Sequence, residues 1–433
     1  REKGMECKEN YQLLKKKLQS ELLETLETGG EWSDEEIMGQ IDELIVSASR
    51  NVYLSGYKKL MMKQELFNSV RRLDLLQELV DDKDITEIMV NGAGDIFYEK
   101  NGHMRRWDKA FESNEKLEDV IQQIVAGANR QVNEASPIVD ARLADGSRVN
   151  VVLKPVALNG PILTIRKFPE EPMSMTRLIC QGALTEEAAA FLEKIVQAKY
   201  NIFISGGTGT GKTTMLNALM GYVPEDERVI TIEDSAELQI HNITNLVKLE
   251  ARNANADGEH QVSIRDLIKS AMRMRPDRII VGEVRGVESV DMIQAMSSGH
   301  DGSISTGHSG SPEEMLSRLE TMVLMGTDIP LMAIRKQIAS AIDIIVQLER
   351  LRDKSRRVTE ITEVVGYEDG EIRLNPLFIF KEVAEDKVEN VVREEGCYEK
   401  IEDEVSGRLI YSGNRLIHRK KLEAAALQLE GGL

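Results

Sequence analysis

Asn201-Ile202-Phe203-Ile204-Ser205-Gly206-Gly207-Thr208-Gly209-Thr210-Gly211-Lys212-Thr213-Thr214 decides how the chain is read. Ile202 to Ile204 read as a short buried strand, and a glycine-rich turn follows at once. Met215, Leu216, Leu219 and Met220 then recur at helical spacing. Gly206, Gly211, Lys212 and Thr213 fit G-x-x-x-x-G-K-[ST], the phosphate-binding P-loop. The chemistry needs these residue types. Glycines turn backbone N–H groups inward around phosphate oxygens, and the helix that begins there adds its positive end. Gly206 to Thr214 are therefore the candidate nucleotide-binding residues. Lys212 neutralises charge between the β- and γ-phosphates, and the Thr213 hydroxyl is the candidate Mg²⁺ ligand. The stretch implies a nucleoside triphosphate site.

Working outward, 433 residues are enough for two or three domains with substantial cores. Hydrophobic residues at 41% and charged residues at 30% describe an ordinary globular protein. No apolar run approaches bilayer length, and the opening is too polar for a signal peptide, so a cytoplasmic protein is expected. A net charge of −18 and a pI near 5.0 argue against a dedicated nucleic-acid binder, which favours a broad basic face. Cys7, Cys180 and Cys397 are far apart and form no C-x-x-C pair, which speaks against a disulfide scaffold or zinc module.

The chain reads in five parts: a helical region over 1–82, an α+β domain over 83–168, a linker over 169–173, an α/β domain over 174–380, and a charged tail over 381–433. Leu13, Leu14, Leu18, Leu22, Leu23 and Leu26 predict a first helix from Tyr11 to Thr28, stopped by Gly29-Gly30. Ser33 and Glu36 form a capping box for a second helix, to Ser49. A third spans Lys58 to Val80. The pattern changes at Asp84. Ile85–Val90, Ile96–Tyr98, Ile138–Leu143, Arg148–Leu153 and Ile162–Arg166 read as strands, and Asn114 to Gln131 as a helix. Asn91-Gly92, Asn101-Gly102 and Asp145-Gly146 supply turns. Pro169 and Pro172 mark the linker. Beyond Ser174, helices alternate with the strand candidates Ile202–Ile204, Val229–Ile232, Arg278–Val281 and Ser303–Ser305. Such alternation predicts a mostly parallel sheet with ligands at its carboxyl ends.

Three stretches follow strand-like segments. Glu233-Asp234 is an acidic pair, a pattern also common on solvated surfaces. Arg278-Ile279-Ile280-Val281-Gly282-Glu283 has the form of a Walker B strand, with Gly282 where an Asp usually stands. Glu283 is the candidate that orients or deprotonates water. Gly299-His300 through His308 carries two histidines without the H-E-x-x-H spacing of a zinc site.

These motifs together resemble the bacterial secretion ATPases that drive type II secretion, type IV secretion and type IV pilus assembly. Met274-Arg275-Pro276-Asp277 through Gly286 is similar to their Walker B region, Ile230 to Asp234 to their Asp box, and Gly299 to His308 to their His box. Asp140-Ala141-Arg142-Leu143 and Asp145 to Asn150 resemble the arginine-bearing part of their N-terminal domain. The likeness is strongest to the CpaF/TadA branch of tad (Flp-type) pilus assembly, on Ser317–Met322, Ala341–Asp343, Leu348–Arg352 and Val358–Glu363.

The resemblance implies an α/β fold: a RecA-like P-loop ATPase domain preceded by a PAS-like α+β domain and an N-terminal helical region. It implies ATP and Mg²⁺ as cofactors, Glu283 as the catalytic carboxylate and Glu233 as support for Mg²⁺ and its water. It places His308 near the γ-phosphate, with Arg142 and Arg148 reaching that phosphate when the domains close. Arg166 and Arg285 are weaker candidates for the same neighbourhood. A homo-hexamer docked on inner-membrane platform proteins is implied, peripheral to the inner face of the cytoplasmic membrane, with no nucleic acid bound. A nucleotide-dependent switch and a nucleic-acid translocase are the rival readings. Gly307 replaces a bulky aliphatic residue of the family, which predicts a looser His308. The four-cysteine metal module of some type II relatives is absent from the sequence.

Overall fold

The computed structural model describes residues 2–27, 32–100, 102–168, 173–252, 261–382 and 405–429. Gly29-Gly30, Asn101, Pro169, Pro172 and Cys397 lie outside the described residues. Two compact units emerge, Arg1–Glu170 and Glu171–Leu433.

The first unit opens with helices Glu2–Glu27, Asp34–Ala48 and Gly56–Arg71, packed through Leu18, Leu22, Ile37, Ile41, Ile45, Met62 and Leu66. Ser33 and Glu36 cap each other's backbone N–H as the sequence predicts. The expected Lys58–Val80 helix is instead broken. It stops at Arg71, a single 3-10 turn covers Asp74–Leu76, and a short helix covers Gln77–Asp81. Leu66 packs among the helices, whereas Leu76 and Leu79 pack under the sheet that follows. The apolar period runs on unbroken because it serves two cores in succession.

That sheet has strands β1 (Ile85–Asn91), β2 (Ile96–Lys100), β3 (His103–Arg106), β4 (Ile138–Arg142), β5 (Arg148–Val152) and β6 (Ile162–Arg166). Their order is β3-β2-β1-β6-β5-β4, every pairing antiparallel. Helix Asn114–Gly127 lays Leu117, Val120, Ile121 and Ile124 against its inner face. The helix ends before the expected Gln131, and Asn129 takes a left-handed conformation (φ 52°). Strand β3 escaped the sequence reading because all four of its residues are exposed, leaving no alternation to see.

The second unit is a nine-stranded sheet. Its strands are β7 (Ile202–Gly206), β8 (Arg228–Glu233), β9 (Asn245–Glu250), β10 (Arg278–Val281), β11 (Ile304–Gly307), β12 (Ile344–Arg350), β13 (Arg356–Glu368), β14 (Glu371–Glu382) and β15 (Gly407–Tyr411). They run in the order β15-β14-β13-β12-β7-β11-β10-β8-β9. From β12 to β9 all neighbours are parallel, and β13 to β15 extend one edge antiparallel. Ile202 and Ile204 face one layer, with helices Glu186–Gln197 and Lys212–Met220. Phe203 faces the other, with helices Ser289–Ser297, Pro312–Gly326 and Leu331–Ala341. Burying such a side chain stabilises by about 1.5–3 kcal/mol, so the alternation fixes both layers at once.

The region expected as a charged tail from 381 onward is partly structural. Strand β15 pairs with β14, and Leu409, Leu416 and Leu422 join the core. Buried Glu363 accepts the N–H groups of Ile417 (2.9 Å) and His418 (2.7 Å) and the Asn375 side-chain amide (2.9 Å). Lys421 Nζ bonds Asp343 (2.8 Å) and Asp301 (2.7 Å). Charge in the sequence masked three apolar anchors. Glu363→Ala should remove the buried carboxylate that those N–H groups share and cost about 3 kcal/mol. Limited proteolysis, with cleavage appearing within 405–429, checks this.

Candidate active site

Strands β7, β8, β10, β11 and β12 run parallel, so their carboxyl ends lie along one rim of the sheet. The registers align Gly307 with Ser205, Val281 with both Ser305 and Ile232, and Leu348 with Gly206. Each of these strands delivers a polar group to that rim. From β7 the chain enters the P-loop, where Gly211 takes the left-handed conformation (φ 96°) as N-cap of helix Lys212–Met220. A Cβ would strain this position. Lys212 is buried, and its Nζ donates to the carbonyls of Gly206 and Gly207, both at 2.9 Å. Burial pushes its pKa down, as expected of a cation removed from water. Thr213 and Thr214 open the same helix.

Glu233 ends β8, and only 3% of it is exposed. Its Oε1 accepts the backbone N–H groups of Glu237 (2.8 Å) and Leu238 (3.0 Å). Its buried Oε2 has no hydrogen-bond partner. Gly282 explains the missing Walker B Asp: a Cβ there would stand 3.0 Å from Glu233 Cγ. The glycine makes room for the Glu233 side chain on the adjacent strand. Burial raises the Glu233 pKa to about 7, against 4.5 in the unfolded chain. Between those values the folded protein holds a proton the unfolded chain has released. Stability should therefore fall as pH rises through that window, by up to about 3 kcal/mol. Urea melts of chelator-treated protein at pH 5 and pH 7.5 check this, and Glu233→Gln should remove the difference.

His308 follows β11 and links the two halves of the rim. Its Nδ1 lies 3.2 Å from Lys212 Nζ. An ammonium has only protons to give, so Nδ1 accepts and the ring proton sits on Nε2. Burial and the nearby cations Lys212 and Arg285 lower the His308 pKa, consistent with a neutral ring. Nε2 lies 2.5 Å from Glu283 Oε1, a close polar contact without hydrogen-bond alignment. Arg285 grips the other Glu283 oxygen through Nη2 (2.6 Å) and Nε (2.9 Å). Glu288 fixes the turn beneath by accepting the Arg285 and Gly286 N–H groups.

The looser His308 expected from Gly307 is not what the structure has. A Cβ on Gly307 would stand 2.9 Å from Phe203 and 3.0 Å from Met315. Those side chains occupy the space a larger residue would fill, and Lys212 and Glu283 hold the ring from both sides. His300 stands apart, its Nδ1 3.3 Å from the Ala295 carbonyl oxygen.

A cleft of about 660 Å³ opens beside the P-loop, lined among others by Gly207, Thr208, His308, Arg318, Glu349 and Arg350. The sequence reading gave Arg318 and Arg350 no role at this site. Arg350 ends β12, the strand beside β7, and recognising that strand would have placed Arg350 on the rim. Arg318 lies on a helix and carried no comparable signal.

Arg142 and Arg148 belong to the other unit. They are direct partners across β4 and β5, and Arg148 in turn pairs with Arg166 on β6. Side chains paired across a sheet share a face, so three guanidinium groups stand in a row. Like charges placed so are destabilising. Glu87 offsets part of this, 2.6 Å from Arg166 Nε.

Among the described residues no group of three or more His, Cys, Asp or Glu could hold a metal. The partnerless Glu233 Oε2 nevertheless fits a Mg²⁺ ion held mainly by phosphate oxygens, water and a hydroxyl. That is how this ion is commonly bound beside phosphates.

Residues 71–426 match the family model described as type II/IV secretion system protein. A putative conjugal transfer protein of Mycobacterium tuberculosis (strain H37Rv) is 35% identical over 66% of this chain and 83% of its own length. The type IV secretion system protein PtlH of Bordetella pertussis is 33% identical over 69% and 94%. Among solved structures, the pilus retraction motor PilT with bound ADP aligns at TM-score 0.50 and 19% identity, over 70% of this chain and 81% of PilT. The Yersinia pseudotuberculosis ATPase DotB aligns at 0.51 and 17%, over 67% and 78%. At those identities the two structures speak for the fold alone. The family match covers most of the chain and contains the P-loop, the Walker B strand and His308: the protein belongs to the type II/IV secretion system family and is an ATPase.

Proposed function

We propose that the protein is a homo-hexameric motor that couples ATP hydrolysis to closure of its two units. In this reading it drives a tad-type pilus assembly or related export machine through inner-membrane platform proteins. The observation that carries it is the run of contacts from Lys212 through His308 to Glu283. A triphosphate's anionic oxygens would draw Lys212 Nζ from the neutral carbonyls of Gly206 and Gly207. His308, touching both Lys212 and Glu283, would feel that shift and pass it to the carboxylate that orients water. Thr213 and Glu233 would hold Mg²⁺, which supplies charge neutralisation on the phosphates. The row Arg142, Arg148 and Arg166 fits the same scheme, since guanidinium groups on one sheet face complement the oxygens of a triphosphate. Guanidinium groups suit it because they stay charged and span two oxygens.

Arg142→Ala and Arg148→Ala are each expected to lower ATP turnover about tenfold while nucleotide binding persists, because the two share one task. Turnover per chain should also rise with protein concentration as rings assemble. Mixing Arg148→Ala chains with Lys212→Ala chains should recover activity if the arginine serves a neighbouring subunit. Concentration-independent turnover, or activity that requires DNA, would replace the motor reading with the switch or the translocase.

A further inference from the structure

Gln347 is a polar side chain in an apolar layer. It sits on β12 between Val346 and Leu348, which face the layer of helices Glu186–Gln197 and Lys212–Met220. It therefore shares the opposite face with Ile345. Only 1% of it is exposed. Its Nε2 donates to the carbonyl oxygen of Ser309 (3.3 Å), the residue after His308. Its Oε1 is buried without a hydrogen-bond partner. Beside it in register stands Ser205, whose buried hydroxyl is likewise unpartnered, and beside Ser205 stands Gly307. An apolar residue would avoid the cost of that half-satisfied amide, so packing alone does not explain a glutamine here. The strand also slips at this point. Gln347 pairs with Glu360 but Leu348 with Val358, leaving Thr359 as an extra residue on β13. Such bulges re-aim a side chain and gather next to active sites. Leu348, the next residue, is packed on the P-loop: its carbonyl oxygen would stand 2.6 Å from a Cβ on Gly206.

We infer that Gln347 is a positioning residue for His308: its amide ties the His308 segment to β12 and so holds the ring between Lys212 and Glu283. Other bonds fasten that segment elsewhere. Thr306 Oγ1 donates to the Gly282 carbonyl (2.8 Å), joining the end of β11 to the Glu283 side of the rim. The Gly310 N–H donates to Glu314 (3.0 Å) and Ser309 Oγ to the Ser311 carbonyl (3.1 Å), which fixes the entry to helix Pro312–Gly326. The Gln347 bond instead reaches β12, the strand that flanks β7 and the root of the P-loop. It therefore resists any drift of His308 away from Lys212. Gln347 itself is sealed from solvent, so it supports the ring rather than meeting the substrate. The inference rests on the reading of His308 as the group that couples Lys212 to Glu283.

The test is a double-mutant cycle on the whole protein, read by steady-state ATP turnover and by melting temperature. Gln347→Met keeps the length of the side chain and removes its donor. It should lower kcat at least about tenfold through misplacement of the ring. KM should stay within about twofold, because no contact to the nucleotide is lost. In a His308→Ala background the same change should cost less than about twofold, since it acts through the ring. Its melting temperature should match or exceed the parent's. Methionine fills the same space with no unmet polar atom, and half-buried Ser309 leaves its carbonyl within reach of water. Gln347→Glu keeps the shape but, ionised, offers the Ser309 carbonyl no proton, and should lose turnover as Gln347→Met does. Losses that add in the double variant, or a lowered melting temperature for Gln347→Met, would make Gln347 a packing residue and overturn the inference. Parent-like turnover of Gln347→Met beside an impaired His308→Ala would overturn it alone. Parent-like turnover of His308→Ala would instead remove the reading of His308 on which it rests.

Discussion

Glu283→Gln is expected to cut ATP turnover by about 10³–10⁴-fold while nucleotide affinity stays within a few-fold. The amide keeps the size of the carboxylate but cannot take a proton from water. It also loses the charge that Arg285 grips through two nitrogens and that His308 contacts at 2.5 Å. Steady-state hydrolysis alongside fluorescent-nucleotide binding separates the two effects. If turnover survived, Glu283 would be a strand-end acid that merely anchors Arg285, and the water-orienting group would lie elsewhere on the rim. Proteolysis of Glu283→Gln should match the parent, because the residue lies outside the apolar layers.

Lys212→Ala should be the more general loss, lowering both nucleotide affinity and turnover, with turnover down about 10³-fold. Lys212 is buried among backbone carbonyls, with its charge disfavoured by that burial. A buried cation held by neutral acceptors is poised for an anion, and nothing else on the P-loop replaces its charge. The variant also frees His308 Nδ1 from its contact with the Lys212 ammonium (3.2 Å). The two variants should therefore differ in kind: Glu283→Gln binds nucleotide without consuming it, while Lys212→Ala does neither well. Lys212→Arg tests geometry, since a planar fork is too wide for a slot measured by two carbonyls at 2.9 Å.

The parts of this arrangement legible in the sequence were those with local signals. Glycines at fixed offsets marked the P-loop, and Arg278–Val281 was bounded correctly because all four residues are buried and bracketed by polar ones. Glu233 and Glu283 were visible as acids at strand ends. What the sequence hid was nonlocal. Strand β12 joins the sheet by pairing with the distant β7, β13 and β14 follow it as hairpins, and β14 alternates too weakly to announce itself. The break at Arg71–Asp74 was invisible because apolar spacing continued across it. Gly282 and Gly307 read as departures from a pattern, yet each is set by a neighbour on another element, Glu233 in one case and Met315 in the other. A residue's partner across a sheet is not written beside it.

Strand β15 has a consequence for how the polypeptide is made. Its five residues, Gly407–Tyr411, cover the Phe378–Glu382 stretch of the outer edge of β14. A ribosome emits them well after the nucleotide-binding segment, so a nascent chain exposes the Phe378–Glu382 edge until they follow. Such an edge invites pairing with another chain. Products truncated before 405 should therefore accumulate as insoluble material, even though every residue of the phosphate cradle is already present.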